Sequence, residues 1–279
     1  MNEHAVEVSR GERFEFGANW AQFLNVLNDE RIALAEQSLR NMLCVNDLKG
    51  KCFLDIGSGS GLFSLAARRL GATVHSFDYD PKSVACTSEL KHRYYPGDSN
   101  WIVEQGSVLD NDYLQTLGQW DFVYSWGVLH HTGAMWKALD NVVPLVAGQG
   151  RLFIALYNDQ GRSSIMWKKI KKAHCLAPQP WRSFVLFLAF IKLWGPTTLR
   201  DAFIGRPWAT WRNYGKKSDR GMSPWRDSVD WIGGYPFEVA KPEEIFDFYH
   251  QRCFRLERLK TCAGGHGCNQ FVFSRIPIH

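Results

Sequence analysis

From about residue 49 the chain alternates short apolar runs with stretches of helical period. Phe53, Leu54 and Ile56 make an apolar run around Asp55 that reads as a buried strand. Residues 62–70 (LFSLAARRL) then repeat their apolar side chains at helical spacing and stop at Gly71, a helix-ending glycine. A second strand is predicted over 72–77, ending at Asp78, and Asp80 and Pro81 open a helix as N-cap and first helical residue. Further strands are predicted over 101–105, 121–125 and 151–157. Beyond residue 240 the pattern gives a helix over 242–250 and two strands, 254–261 and 269–275, joined by the glycine-rich turn 263–267. Strands that alternate with helices in this way predict an open α/β sheet of mostly parallel strands.

Two stretches break the alternation. Residues 1–18 are polar apart from a few positions such as Phe14 and Phe16; a helical pattern capped by Asn19 then runs to Leu43, with a break near Asn28 and Asp29. After residue 160 come two basic, aromatic helical stretches, 164–174 and 181–194, and then a passage rich in Pro, Gly and Trp as far as Arg226. The expected organisation is an N-terminal helical cap (1–48), an α/β core (49–159 and 227–279) and a helical insertion after the fifth strand (160–226).

Composition adds three things. With 45 % hydrophobic residues, 12 Trp and 18 Phe, the chain can bury a full core and is not disordered. Its 7 cysteines are odd in number and contain no C-x-x-C pair, which suits reduced thiols in the cytoplasm and no zinc site. No apolar run reaches the length of a membrane span, and the start shows no hydrophobic signal region. The net charge of +5 is unevenly placed. Residues 160–226 hold fourteen Lys and Arg against two Asp, a net of +12, and six of the 12 tryptophans. Segregation of this kind points to an anionic partner.

The turn after the first strand carries the chemistry. It reads Asp55-x-Gly57-x-Gly59-x-Gly61 with Ser58 inside it, and a helix follows. Alternate glycines let the chain turn sharply and a ligand approach the backbone, and the helix N-terminus faces the ligand with free N–H groups. Asp78, about 20 residues past the loop, suits the two hydroxyls of a ribose. With these residues the sequence resembles the class I, Rossmann-like S-adenosylmethionine-dependent methyltransferases, of the small-molecule type. The likeness is clear over 50–159 and looser over the last 45 or so residues. It implies a parallel sheet closed by an antiparallel C-terminal hairpin, and S-adenosyl-L-methionine as cofactor. It also implies that Asp55, Gly57, Ser58, Gly59, Gly61, Asp78, Tyr79, Ser107, Val108 and Trp126 bind the cofactor. Ser107 stands where related chains often carry an Asp after the glycine of the third strand, so Asp110 is an alternative adenine contact. After the fourth strand the chain reads Trp126-Gly127-Val128-Leu129-His130-His131-Thr132. It lacks the Asn/Asp-Pro-Pro-aromatic tetrapeptide of enzymes that methylate DNA bases or glutamine.

Methyl transfer from a sulfonium is an in-line displacement, which needs positioning and, for a hydroxyl acceptor, a base. His130 and His131 are the first candidates, because imidazole titrates near neutrality; Asp159 and Glu238 follow as lesser ones, and His266 in the glycine-rich turn 263–267 reads as a loop residue. No metal is expected. For the basic insertion three partners compete: an anionic small-molecule acceptor, RNA, and a membrane surface met peripherally through 181–194. The small acceptor ranks first. An RNA or tRNA methyltransferase is the alternative activity, and an NAD-type oxidoreductase or a non-catalytic cofactor-binding module comes after it.

Overall fold

The computed structural model describes residues 3–217 and 224–276. The elements run in chain order as α1 (Glu3–Ser9), α2 (Gly17–Phe23), α3 (Asp29–Leu43), β1 (Cys52–Ile56), α4 (Leu62–Arg69), β2 (Thr73–Asp78), α5 (Pro81–Tyr94), β3 (Trp101–Gln105) and α6 (Asn111–Leu117). Then follow β4 (Trp120–Trp126), α7 (Met135–Val142), β5 (Val146–Tyr157), α8 (Arg162–Leu176), α9 (Gln179–Phe203), α10 (Ala209–Lys217), α11 (Pro224–Gly233), α12 (Pro242–His250), β6 (Phe254–Lys260) and β7 (Cys268–Arg275).

The seven strands form one sheet of order β3-β2-β1-β4-β5-β7-β6. The first five pair in parallel, and β7 enters antiparallel between β5 and β6, which is the expected closing hairpin. The order reverses between β1 and β4, and a crevice opens there at the carboxyl ends of the strands. Successive residues of β1 are buried on opposite faces: Phe53 joins a core with Leu39, Leu65 and Trp101, and Leu54 joins one with Val123, Leu139 and Phe271. Helices therefore cover both faces, as a parallel sheet requires.

Local side-chain capping explains the starts of α3, α5 and α6. Asn28 Oδ1 accepts from the Arg31 amide at the head of α3, and Asp110 Oδ1 accepts from Tyr113 N–H at the head of α6. Asp80 does double duty. Oδ1 accepts from Lys82 N–H and caps α5, while Oδ2 accepts from Gly17 N–H at 2.8 Å. That second bond corrects the expected N-terminus of α2, which begins at Gly17 and not after Asn19, because its cap comes from a residue 63 positions away. The polar start also holds a helix of its own, α1.

The insertion differs most from its sequence pattern. The helix expected over 181–194 continues as α9 through Gly195 and Pro196 to Phe203. Proline breaks a lone helix; here packing holds the segment, with Trp194 4.9 Å from the Trp211 ring and its Nε1–H donating to Ser228 Oγ at 2.7 Å. Where the sequence reads a return to the core, α11 occupies 224–233 and packs on α8 and α9. The third apolar cluster, Tyr157, Trp167, Ala189, Ile232 and Phe237, joins these helices to the end of β5. Arg220 and Asp219, part of the charge count, lie outside the described residues. Among the described residues no helix is long and apolar enough to cross a membrane.

Candidate active site

The glycine turn is held by the strand beside it. Gly57 and Ser58 donate their N–H groups to the Phe77 carbonyl at 2.8 and 3.1 Å, and Gly59 N–H donates to Asp78 Oδ2 at 2.9 Å. Gly57 has φ +78, and a Cβ there would fall 2.4 Å from Val128 Cγ1. Glycine suits this position because φ is positive and a Cβ would collide with the branched Val128 side chain. Gly57→Ala is expected to cost about 1–3 kcal/mol of folding stability through this strain. A lowered melting temperature, together with loss of cofactor binding by calorimetry, checks it.

Two carboxylates stand at the head of the crevice. Asp55 is buried and ends a chain of polar groups that the sequence did not announce. Trp101 Nε1–H donates to Ser76 Oγ at 2.9 Å, Ser76 and Ser64 share a bond of 2.7 Å, and Ser64 Oγ–H donates to Asp55 Oδ2. Burial pushes the Asp55 carboxyl up to about 7, with the Ser64 bond opposing and the Asp78 charge adding to the rise. Asp78 is pushed up to about 6, again by burial first, against the N–H bonds from Asp80 and Gly59.

A cavity of about 850 Å³ runs along the switch point. That is near the top of the usual range of about 300–1,000 Å³ for a ligand site. Asp55, Gly57, Ser58, Gly59, Asp78, Tyr79, Ser107, Val108 and Trp126 all line it. Gly61 does not; it turns into α4 against Thr87. Ser107 Oγ is taken up by the Leu109 amide, and Asp110 lines the cavity while capping α6.

The two histidines part company. His130 is fully buried, and its Nδ1 accepts from Tyr157 N–H at 3.2 Å, which ties the end of β5 to the β4 loop. His131 lines the cavity, and its Nδ1 lies 2.6 Å from the Pro236 carbonyl. A carbonyl only accepts, so the neutral ring carries its proton on Nδ1 and keeps Nε2 as the basic nitrogen. Asp159 is placed elsewhere: Oδ1 accepts from Gly161 N–H at the start of α8, and the residue is not part of the cavity wall. Glu238 likewise accepts from Met135 N–H and caps α7. His266, by contrast, lines the cavity 5.5 Å from the Trp231 ring, its pKa lowered by burial and then by Lys171.

The N-terminal segment closes this site, and nothing in its polar sequence indicated how. Arg13 donates to the carbonyls of His131 and Thr132 at 2.8 and 3.4 Å, pairs with Glu7 at 2.6 Å, and lies over the Tyr79 ring. Phe16 packs 4.8 Å from the His131 ring, and the Trp20 indole sits 3.1 Å from where a Gly59 Cβ would be. Phe14, Phe16 and Trp20 all line the cavity. The far end of the cavity is formed by Tyr157, Trp231, Leu193, Trp194 and Thr197. Among the described residues none of the insertion's Lys or Arg side chains lines it; Lys168, Lys169, Lys172, Lys192, Arg200 and Arg206 are exposed. No group of three or more His, Cys, Asp or Glu among the described residues could hold a metal ion.

A sheet of this order, with a glycine turn after β1 and an acid at the end of β2, defines a class I methyltransferase fold. The family model described as a methyltransferase domain matches residues 27–206, and the chain belongs to that family. Its class is that of S-adenosylmethionine-dependent methyltransferases, whose cofactor is S-adenosylmethionine. The chain is similar to the ribosomal protein L11 methyltransferase of Methylococcus capsulatus, 40 % identical over 67 residues, which are 24 % of this chain and 23 % of that protein. It is also similar to the mitochondrial ubiquinone biosynthesis O-methyltransferase of Schizosaccharomyces pombe, 29 % identical over 164 residues, 56 % of this chain and 57 % of that one. The chain thus spans between about a quarter and three fifths of these curated relatives. Among solved structures it is similar to a magnesium protoporphyrin IX methyltransferase from Synechocystis with bound SAH, with a TM-score of 0.51 and 15 % identity over 89 % of this chain and 88 % of that one. At that identity the likeness shows the fold.

The residues present fit the cofactor. Gly57, Ser58 and Gly59 of the turn line the cavity beside Asp78, which stands ready for a diol, and the cavity has volume for a nucleoside and an acceptor together.

Proposed function

We propose that the chain transfers the methyl group of S-adenosylmethionine to an oxygen of a small, largely apolar acceptor. The observation that carries this reading is the single cavity that joins the glycine turn and Asp78 at one end to His131 and an aromatic wall at the other. The cofactor, when bound, supplies an activated methyl group. Asp78 would accept the ribose hydroxyls, Asp55 would set negative charge beneath a cationic ligand, and Ser107 and Val108 would border the base. His131 would take the acceptor hydroxyl's proton on Nε2 as the oxygen is alkylated. The Pro236 carbonyl holds that ring in the tautomer the task needs. Trp20, Phe16 and Trp231 keep water from the reacting atoms.

The likeness to a relative named as an O-methyltransferase of ubiquinone biosynthesis supports an oxygen acceptor on a lipid-soluble ring. It covers 56 % of the chain, against 22 to 38 % for the ribosomal protein L11 methyltransferases. A lipid-soluble acceptor also suits a chain that meets a membrane through 181–194. The helices α8 to α11 would then act as a lid over the acceptor.

Titration calorimetry with S-adenosylmethionine, its demethylated product and NAD is the first test. Binding of the first two and not of NAD is expected, and a preference for NAD would favour an oxidoreductase. Labelled methyl transfer to a panel of phenols, catechols and prenylated quinols, with total tRNA and ribosomal protein alongside, then reads the acceptor. Methylation of the tRNA or the protein alone would overturn the small-molecule reading.

A further inference from the structure

Helix α9 is apolar on two opposite faces. The inner face carries Ala189 into the third apolar cluster and brings Leu193, Trp194 and Thr197 to the cavity. The outer face carries Trp181, Phe184, Leu188, Ile191, Leu199 and Phe203, each about half exposed or more, with Phe203 at 89 %. Spacings of three, four and eight residues keep these side chains on one stripe of a 25-residue helix, ~37 Å long at about 1.5 Å per residue. An apolar stripe of that length is not left to water without a reason.

Its surroundings say what covers it. Lys192 and Arg200 are exposed on α9 itself, next in sequence to Ile191 and Leu199, and Arg206 and Arg212 are exposed just after the helix. From Gln160 to Lys217 the chain contains a single acid, Asp201, and that side chain is turned inward, where it accepts from Thr210 N–H and Oγ1–H at 2.7 and 2.9 Å. Trp181 and Trp208 stand exposed near the two ends, the residue type that favours the boundary between lipid and water. A second copy packed on this face would set one cationic rim against another. A nucleic acid would take the cations and leave the stripe bare. An anionic bilayer takes both.

We propose that the outer face of α9 docks the protein on an anionic lipid bilayer, lying in the interface with its axis along the membrane. The same helix forms the inner wall of the cavity, so a lipid-soluble acceptor reaches the site from the docked side. The docking stands by itself, whereas the delivery of an acceptor rests on the methyl-transfer reading above. It also gives a role to the exposed cations Lys192 and Arg200 of α9, neither of which lines the cavity.

Sedimentation with vesicles tests the docking without cofactor or acceptor. The full chain is expected to pellet with phosphatidylserine-containing vesicles, to stay in solution with pure phosphatidylcholine, and to release as salt is raised. The double variant Leu188→Glu, Ile191→Glu is expected to lose the binding at least about tenfold, and Arg200→Gln to weaken it about fivefold, the share of one cation near such a surface. Calorimetric binding of S-adenosylmethionine, unchanged in both variants, shows that they fold and reads the cofactor site separately. Wild-type protein left in solution with anionic vesicles at low salt overturns the proposal. So does a dimer that the same double variant splits without any vesicle binding. Binding of tRNA lost with the cations and kept by the double variant, again without vesicle binding, would assign the face to a polyanion.

Discussion

His131→Asn lowers kcat by about 10²–10⁴-fold, the usual weight of a positioned base, and leaves the cofactor affinity and the acceptor KM nearly unchanged. Asparagine is the informative replacement because its amide nitrogen sits close to where Nδ1 was. It keeps the donor to the Pro236 carbonyl, 2.6 Å away in the wild type, and removes only the basic Nε2. The neighbouring variant should behave differently. His130 is fully buried and accepts the Tyr157 N–H. His130→Ala leaves that amide without its acceptor, at a cost of about 1–3 kcal/mol, so it lowers the melting temperature first and activity as a consequence. Steady-state kinetics and thermal melts on the pair separate the roles. A kcat for His131→Asn within about tenfold of wild type would remove His131 as the base.

That contrast shows where the sequence stops being readable. A pair of adjacent histidines after a strand says that one of them can face a cleft. Which one is fixed by the 3-10 turn at Leu129–His131 and by contacts to Tyr157 and Pro236, which lie 27 and 105 positions away. The glycine turn, the acids at 55 and 78 and the Asp80–Pro81 helix start were legible because each has a local sequence signature, although the bonds from Asp55 through Ser64 and Ser76 to Trp101 were not. Gly61, at the end of the same motif, serves packing against Thr87, a role that spacing alone could not distinguish from ligand contact.

The N-terminal segment was opaque for the opposite reason. Arg13 acts through carbonyls 118 and 119 positions on, and Gly17 takes its cap from Asp80. A polar stretch that folds onto distant loops leaves no periodic trace. The insertion was half legible. Its charge and its tryptophans were visible, but the run of α9 through Pro196 and the placing of α11 against α8 and α9 depend on tertiary packing that overrides a helix breaker. Charge was visible, but its direction was not: among the described residues most cations of the basic stretch are exposed, whereas Lys171 is buried 4.3 Å from the Trp231 ring.

The affinity for S-adenosylmethionine is expected to fall about 10²-fold in Asp78→Asn and, in the wild type, to rise with pH. The first effect follows from replacing a carboxylate, which accepts charge-assisted bonds worth about 1.5–3 kcal/mol, by an amide with one acceptor. The second follows from linkage. Burial raises Asp78 to about 6 and Asp55 to about 7, above their value of 3.8 in the open chain. Below those values the empty site holds protons that a diol and a cationic ligand must displace, because both favour the carboxylate form. Binding therefore releases protons where pH lies below the raised pKa, and affinity climbs through about pH 6–7 by up to about tenfold per unit for each proton released. Above about pH 8 both groups are already ionised and the rise ends. Calorimetry in buffers of different ionisation enthalpy reads the protons directly. The observed enthalpy should depend on the buffer near pH 6 and not near pH 8, and Asp78→Asn should remove its share of that dependence. An affinity flat from pH 5.5 to 8, or one that falls as pH rises, would mean that neither carboxyl titrates against the cofactor.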